Sequence, residues 1–110
     1  MWLDGEVLSY FQINRLSIIF SFQSGGQIST SSRIRHLSSD GAAMSICDAG
    51  QTPVNFTLFS LLERAVTSVT IQPGVLEIAF DNGEQAVVER VSNEPEVAFL
   101  SFASGHEAVV

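Results

Sequence analysis

Apolar and polar residues alternate along two stretches of this chain, from Leu16 to Phe22 and from Leu76 to Phe80. A two-residue period predicts a β-strand that buries one face and turns the other to solvent. Each stretch ends in residues typical of a hairpin turn, Ser24-Gly25-Gly26 in the first and Asp81-Asn82-Gly83 in the second. The side chains that we expect in the core are Phe20, Phe22, Ile78 and Phe80.

The two stretches belong to an internal repeat with a constant offset of 58 residues. When Leu3 is placed on Leu61, no gap is needed over about thirty positions, and Gly25 falls on Gly83. A solenoid needs at least three copies of its unit, so we infer a single duplication. The apolar positions that coincide are Phe11 with Val69, Ile13 with Ile71, Ile18 with Leu76, Phe20 with Ile78 and Phe22 with Phe80.

Each copy has the pattern of a three-stranded meander. In unit one, residues 3–35, strands are expected near 6–13, 16–22 and 27–35. In unit two, residues 61–102, the Gln72-Pro73-Gly74-Val75 sequence fits a type II turn, and a further strand is expected at 97–102. The sequence therefore predicts a mainly β single domain over residues 1–110. In it, the two meanders pack as a small sandwich or half-barrel.

The segment between the units is harder to assign. Residues 36–55 are rich in Ser, Asp, Gly and Ala, which predicts a loop. Thr52-Pro53 has the form of a helix N-cap followed by proline in the first turn. Apolar residues then recur at helical spacing, which predicts a short helix near 53–64, although Val54, Phe56 and Leu58 also fit a strand.

The composition is that of a folded chain. Of 110 residues, 45% are apolar and 15% are charged, so a core can form without a metal or disulfide. Residues 1–20 contain neither a basic leader nor an uninterrupted apolar run, and no stretch has the roughly 20 apolar residues that span a bilayer. We therefore expect a cytoplasmic protein.

The charge is acidic and uneven. The chain has twelve carboxylates, five arginines and no lysine, with a net charge of −7. Residues 1–55 carry four acids and three arginines, whereas residues 56–110 carry eight acids and two arginines. Such a surface repels nucleic acid and anionic lipid and attracts a basic protein, although net charge also serves solubility.

Few residues suggest catalysis or metal binding. One cysteine and two histidines show no ligand spacing, so no metal and no cofactor are expected. Cys47 with His36 is the only thiol–imidazole combination, and Asp48 beside the thiol disfavours the thiolate. We therefore interpret Cys47 as a small apolar side chain and predict that the protein is not an enzyme.

Two groups of charged residues are candidate binding sites. Four carboxylates cluster on the second hairpin of unit two, where they could receive a basic partner or simply keep the hairpin solvated. Arg33 and Arg35 share one face of a strand, where they could hold a carboxylate-bearing ligand or pair with the protein's own acids. The four carboxylates are Glu77, Asp81, Glu84 and Glu89.

Short motifs in both units resemble a known family. Leu3-x-Gly5-x-Val7 with Phe22-x-x-Gly25 recurs loosely as Leu62-x-Arg64-x-Val66 with Phe80-x-x-Gly83. The arrangement resembles an uncharacterised bacterial domain of unknown function that has two short β-units and an acidic C-terminal part, over nearly the whole chain. That family has an aromatic residue after a Glu-Ala-like pair near its end, which Glu96-Val97-Ala98-Phe99 only approximates.

In size, acidity and lack of catalytic residues, the chain is also similar to the immunity proteins of interbacterial toxin systems. This likeness implies a non-catalytic acidic protein-binding module that binds and neutralises a cognate basic toxin domain. The alternative is an accessory domain that binds a small ligand or associates with itself as a homodimer.

Overall fold

A computed structural model of the chain describes residues 4–14, 17–48, 57–89, 99–101 and 107–109. Within these ranges the chain forms ten β-strands and one short 3₁₀ helix, Thr57–Leu61. The strands are β1 (Leu8–Ile13), β2 (Ile18–Phe22), β3 (Gln27–Thr30), β4 (Arg33–Leu37), β5 (Ala43–Asp48), β6 (Val66–Gln72), β7 (Val75–Phe80), β8 (Gln85–Glu89), β9 (Phe99–Ser101) and β10 (Glu107–Val109).

The described strands form two antiparallel sheets, which confirms the mainly β prediction. The first sheet has the order β1-β2-β3-β9-β10, and the second has the order β5-β4-β8-β7-β6. The inward-facing side chains of both sheets form one core cluster, as the alternation predicts. It includes the four residues expected there, Phe20, Phe22, Ile78 and Phe80, each at most 3% exposed.

The duplication is visible in the pairing of the strands. In unit one, Leu8 pairs with Phe22 and Phe11 with Phe20. In unit two, the residues 58 positions later pair in the same way, Val66 with Phe80 and Val69 with Ile78. Both first strands also carry a bulge at the same place, after Leu8 and after Val66. A shared bulge and register are structural traces of one ancestral meander.

An approximate twofold relates the two units. Val7 forms an antiparallel bridge with Ala65, which is its own counterpart in the other unit. The hydrogen bonds beside this bridge come in exchanged pairs. The Leu8 amide donates to the Arg64 carbonyl at 3.0 Å, and the Val66 amide donates to the Glu6 carbonyl at 2.8 Å. The first strands of the units therefore meet at Val7 and Ala65.

The left-handed backbone position of Gly5 recurs one residue before Arg64, the counterpart suggested by the sequence. Gly5 has φ +84°, and the residue with the same left-handed backbone in unit two is Glu63, φ 67°. Gly5 therefore corresponds to Glu63 at the 58-residue offset, and Arg64 corresponds to Glu6. The correspondence of Gly5 and Glu63 was not evident from the sequence, because a left-handed position that favours glycine holds a glutamate in the second unit.

Two expectations for residues 27–55 were wrong. The single strand expected at 27–35 is divided at Ser31-Ser32: β3 stays in the first sheet, and β4 crosses to the second. The Ser32 amide donates to the Thr30 hydroxyl at 3.0 Å, a local bond that offers the backbone an alternative to the ladder. The loop expected over residues 36–55 contains β5, paired with β4 after a tight turn at 38–42. The strand was not predicted because the small and polar residues of this segment are typical of a loop.

The remaining local predictions hold where the structure describes them. The 3₁₀ helix lies within the short helix expected near 53–64, and it buries Leu58 and Leu61 in the core. Strand β9 lies within the expected C-terminal strand and pairs with β3. The Thr52-Pro53 start lies outside the described residues.

Candidate protein-binding site

Both candidate groups of charged residues include positions on the outer face of the second sheet. Along β7, the buried Leu76, Ile78 and Phe80 alternate with half-buried neighbours, so Glu77 points outward as predicted. Arg33 and Arg35 alternate in the same way with buried residues of β4. The strand register places Arg33 opposite Glu89 and Glu77 opposite Val87.

Arg35, one of the two candidate arginines, forms an ion pair with Glu89, one of the four predicted docking acids. The Arg35 Nε atom lies 3.1 Å from Glu89 Oε1, and the two side chains are 37% and 26% exposed. The Nε–H is not aligned with the carboxylate, so the contact is an ion pair without a hydrogen bond. A pair this exposed contributes about 0–1 kcal/mol, so its main effect is to cancel charge.

The other acids of the hairpin differ in their surroundings. Asp81 is exposed and lies 3.9 Å from Arg64 Nη1. Within the described part of the chain, no ion pair or hydrogen bond joins the Glu77 carboxylate. Of the four predicted docking residues, Glu77 thus keeps an uncompensated charge on the outer face.

Glu84 instead belongs to a partly buried polar network that the sequence did not predict. Its Oε1 atom accepts a hydrogen bond from Ser60 Oγ at 2.8 Å and lies 2.5 Å from His36 Nε2. Its Oε2 atom accepts from Asn82 Nδ2 at 2.8 Å. Three side chains of the protein thus contact the Glu84 carboxylate, which gives it a structural role at the turn.

The network continues through the imidazole of His36, which is fully buried. Its Nδ1 atom lies 2.7 Å from Thr57 Oγ1, and that hydroxyl lies 2.6 Å from Ser45 Oγ. If Nε2–H donates to Glu84, then Nδ1 accepts from Thr57, and Thr57 accepts from Ser45. Every polar atom of the ring is satisfied in this arrangement, as a buried imidazole requires.

The order hydroxyl, imidazole, carboxylate is also that of an activated nucleophile. Here, however, the ring lies wholly within the core. Its partners Ser45, Thr57 and Glu84 lie on β5, on the 3₁₀ helix and after the β7–β8 turn. The network thus fixes the helix against the sheet. No sequence signal could find it, because its members lie at positions 36, 45, 57 and 84.

The thiol–imidazole combination considered from the sequence is not aligned across the strands. In the β4–β5 ladder, His36 lies opposite Ser45, whereas Cys47 lies opposite Ile34. The imidazole is instead within hydrogen-bonding distance of Thr57 and Glu84. This network leaves both ring nitrogens of His36 with oxygen partners.

The two edge strands that begin each unit form the most unusual surface. Strand β1 reads LSYFQI and β6 reads VTSVTIQ, without a charged residue in either. Tyr10 and Ile13 on β1 and Ile71 on β6 are 51%, 45% and 39% exposed. Natural edge strands usually carry charges that prevent pairing with other chains, whereas the centres of protein interfaces are depleted of charge.

Comparisons with known proteins identify no relative of this chain. No family model matches the chain, and no curated protein or solved structure is significantly similar to it.

Among the described residues, no cluster of three or more His, Cys, Asp or Glu side chains could hold a metal ion. None of the described helical residues belongs to an apolar helix long enough to cross a membrane.

Proposed function

We propose that the protein is a non-catalytic, acidic protein-binding module of the cytoplasm that neutralises a basic toxin domain, as an immunity protein does. The observation that carries this proposal is the contrast between a net charge of −7 and two exposed, uncharged edge strands. The charge attracts a basic partner from a distance, and the uncharged strands offer it a surface that costs little to desolvate.

Glu77 is the side chain on the outer face that supports a role for charge. Glu84 and Glu89 already face His36 and Arg35, and Asp81 lies near Arg64. A cationic group on a partner would therefore meet an uncompensated carboxylate at Glu77. The docking surface proposed here is narrower than the whole hairpin and centres on β6 and β7.

Self-association through the same strands is the second candidate, because an exposed edge can pair with its own copy. Two molecules of charge −7 repel each other, which opposes this alternative. Small-ligand binding at Arg33 and Arg35 has less support, since Glu89 already neutralises Arg35.

The gene for a cognate toxin is expected directly upstream of this one. The test therefore uses the purified product of that adjacent gene and examines it with this protein by light scattering and stopped-flow fluorescence. We expect a stable complex whose association slows several-fold in the Glu77→Lys variant at low salt, with a smaller effect at high salt. Glu77→Gln and Asp40→Asn change the net charge equally, so Asp40→Asn is the matched control and should associate faster than Glu77→Gln. A homodimer without any complex would contradict the proposal.

A further inference from the structure

We propose that the partner binds by adding an extended, basic segment as a new strand along the open edge of β6, at Val69–Ile71. This inference rests on the proposed function and specifies how the partner is held. Strand addition supplies main-chain hydrogen bonds for affinity and alternate side chains for specificity.

The backbone of β6 presents unused hydrogen-bonding groups at this edge. Phe80 donates its amide to the Glu84 carbonyl and accepts from the Gly83 amide, so its polar groups point away from β6. In an antiparallel ladder this direction recurs at every second residue, at Ile78 and Leu76. Their partners on β6, Val69 and Ile71, must therefore direct N–H and C=O toward the open edge.

The near end of this edge is already used in the same way. The Val66 amide donates to Glu6, and the Gly5 amide donates to the Val66 carbonyl, both at 2.8 Å. The chain then turns away into β1, and among the described residues no strand pairs with β6 on this side. A partner strand at Val69–Ile71 would continue a ladder that the protein itself begins.

The charge of the neighbouring strand indicates which kind of segment fits. On the outer face, Thr70 lies between the open edge and Glu77, with which it pairs. Adjacent strands are about 4.8 Å apart, so a side chain on an added strand starts about 10 Å from Glu77. An arginine or lysine can extend over the small Thr70 side chain and reach that carboxylate.

The inner side of the same edge favours apolar side chains. Ile71 pairs with the fully buried Leu76, which places it on the inner face, yet Ile71 is 39% exposed. The segment that fits therefore alternates basic residues on the outer face with apolar residues on the inner face. A second copy of this chain would bring another Glu77 and a further −7 of charge, so it fits less well.

Strand β1 lies at the corresponding edge of the first sheet but lacks the charge. Its residues 58 positions earlier are Phe11, Gln12 and Ile13, and the residue that corresponds to Glu77 is Ile19. The two edges thus form a natural matched pair, in which only the second is complementary to a basic strand.

The experiment measures binding of the purified adjacent-gene product to Ile71→Pro and to its counterpart Ile13→Pro. Proline removes an outward N–H that makes no internal bond, so both variants should keep the fold. A second matched pair, Thr70→Arg and Gln12→Arg, changes exposed side chains only and places a cation where the partner's cation must lie. We expect Ile71→Pro and Thr70→Arg to weaken binding at least tenfold, with Ile13→Pro and Gln12→Arg near wild type.

Each of the other possible outcomes contradicts one part of the proposal. If the complex forms and all four variants bind equally, or both units are affected equally, strand addition at β6 is wrong while the binding function stands. If the wild type forms a homodimer that Ile71→Pro dissociates, the segment that docks on β6 is a second copy. If the wild type forms no complex with the adjacent-gene product, the proposed function itself is wrong.

Discussion

The two units of this molecule have the same backbone structure but differ in their surface side chains. Strands β1–β3 and β6–β8 have the same pairing register, the same bulge and the same turn hydrogen bonds, from Phe22 to Gly26 and from Phe80 to Glu84. The duplicated core has therefore been kept, whereas surface and turn positions have diverged. This contrast separates residues that the fold needs from residues that are free to serve another role.

The differences lie at a few corresponding positions. Ile19 corresponds to Glu77 on the outer face, and the buried Gly26 corresponds to Glu84, which contacts His36. Unit two thus has one carboxylate that contacts the buried His36 and one, half-buried, on the outer face, where unit one has neither. Glu77 and Glu84 lie on one hairpin in different surroundings, whereas the sequence predicted both as docking residues.

The largest expected effect tests whether the two units contribute equally to the shared core. Phe22 and Phe80 are 3% and 2% exposed at corresponding positions. Phe22→Ala and Phe80→Ala should each lower the free energy of unfolding by about 3–5 kcal/mol, because each leaves a cavity between the sheets. Urea unfolding followed by circular dichroism measures both. A loss below about 1 kcal/mol in either variant would show that its unit does not share the core.

The next comparison separates the two acids of unit two. Glu84→Ala leaves the buried His36 ring without its carboxylate partner and should cost about 1–3 kcal/mol of stability. Glu77→Ala, on the outer face of the same hairpin, should change stability by less than about 0.5 kcal/mol. Thermal and urea unfolding of both variants test this. Equal losses would show that Glu84 is no more important to the fold than Glu77.

A smaller effect is expected at the left-handed position of each unit. Glu63 adopts φ 67° where unit one has Gly5 at φ +84°. Glu63→Gly should stabilise the fold by about 0.5–1 kcal/mol, because relief of the left-handed strain exceeds the entropy that glycine loses. Gly5→Ala should destabilise it through φ alone, since an added Cβ has nothing within 4 Å. Opposite signs in both variants would contradict the correspondence of the two positions.

The smallest effect lies in the 38–42 turn between the units. The Ser38 hydroxyl, and then the Ala42 amide, donate to the Asp40 carboxylate and hold its pKa below the ordinary value of 3.8. Asp40 therefore contributes stability above that value, and the contribution is lost as pH falls through the folded pKa. The stability difference between wild type and Asp40→Asn should shrink between pH 7 and pH 3 in urea unfolding. A difference that grows with acid would contradict the assignment.

The sequence predicted what short-range patterns can encode. The period-two alternation and the hairpin turns identified β2, β7 and the core phenylalanines, and the constant offset identified the duplication. It could not predict that β4 crosses between sheets at Ser31-Ser32, because small polar residues fit a strand, a loop or a crossing. The His36 network could not be predicted either, because it forms only when β5, the 3₁₀ helix and the β7–β8 turn pack together.

The most direct test of binding through unit two is amide hydrogen exchange of the protein, free and bound to the adjacent-gene product. The amides of Val69 and Ile71 face the open edge of β6, and the corresponding residues of β1 are Phe11 and Ile13. Binding at β6 should slow exchange at Val69 and Ile71 and leave exchange at Phe11 and Ile13 unchanged. Protection confined to β1, or to neither edge, would contradict it.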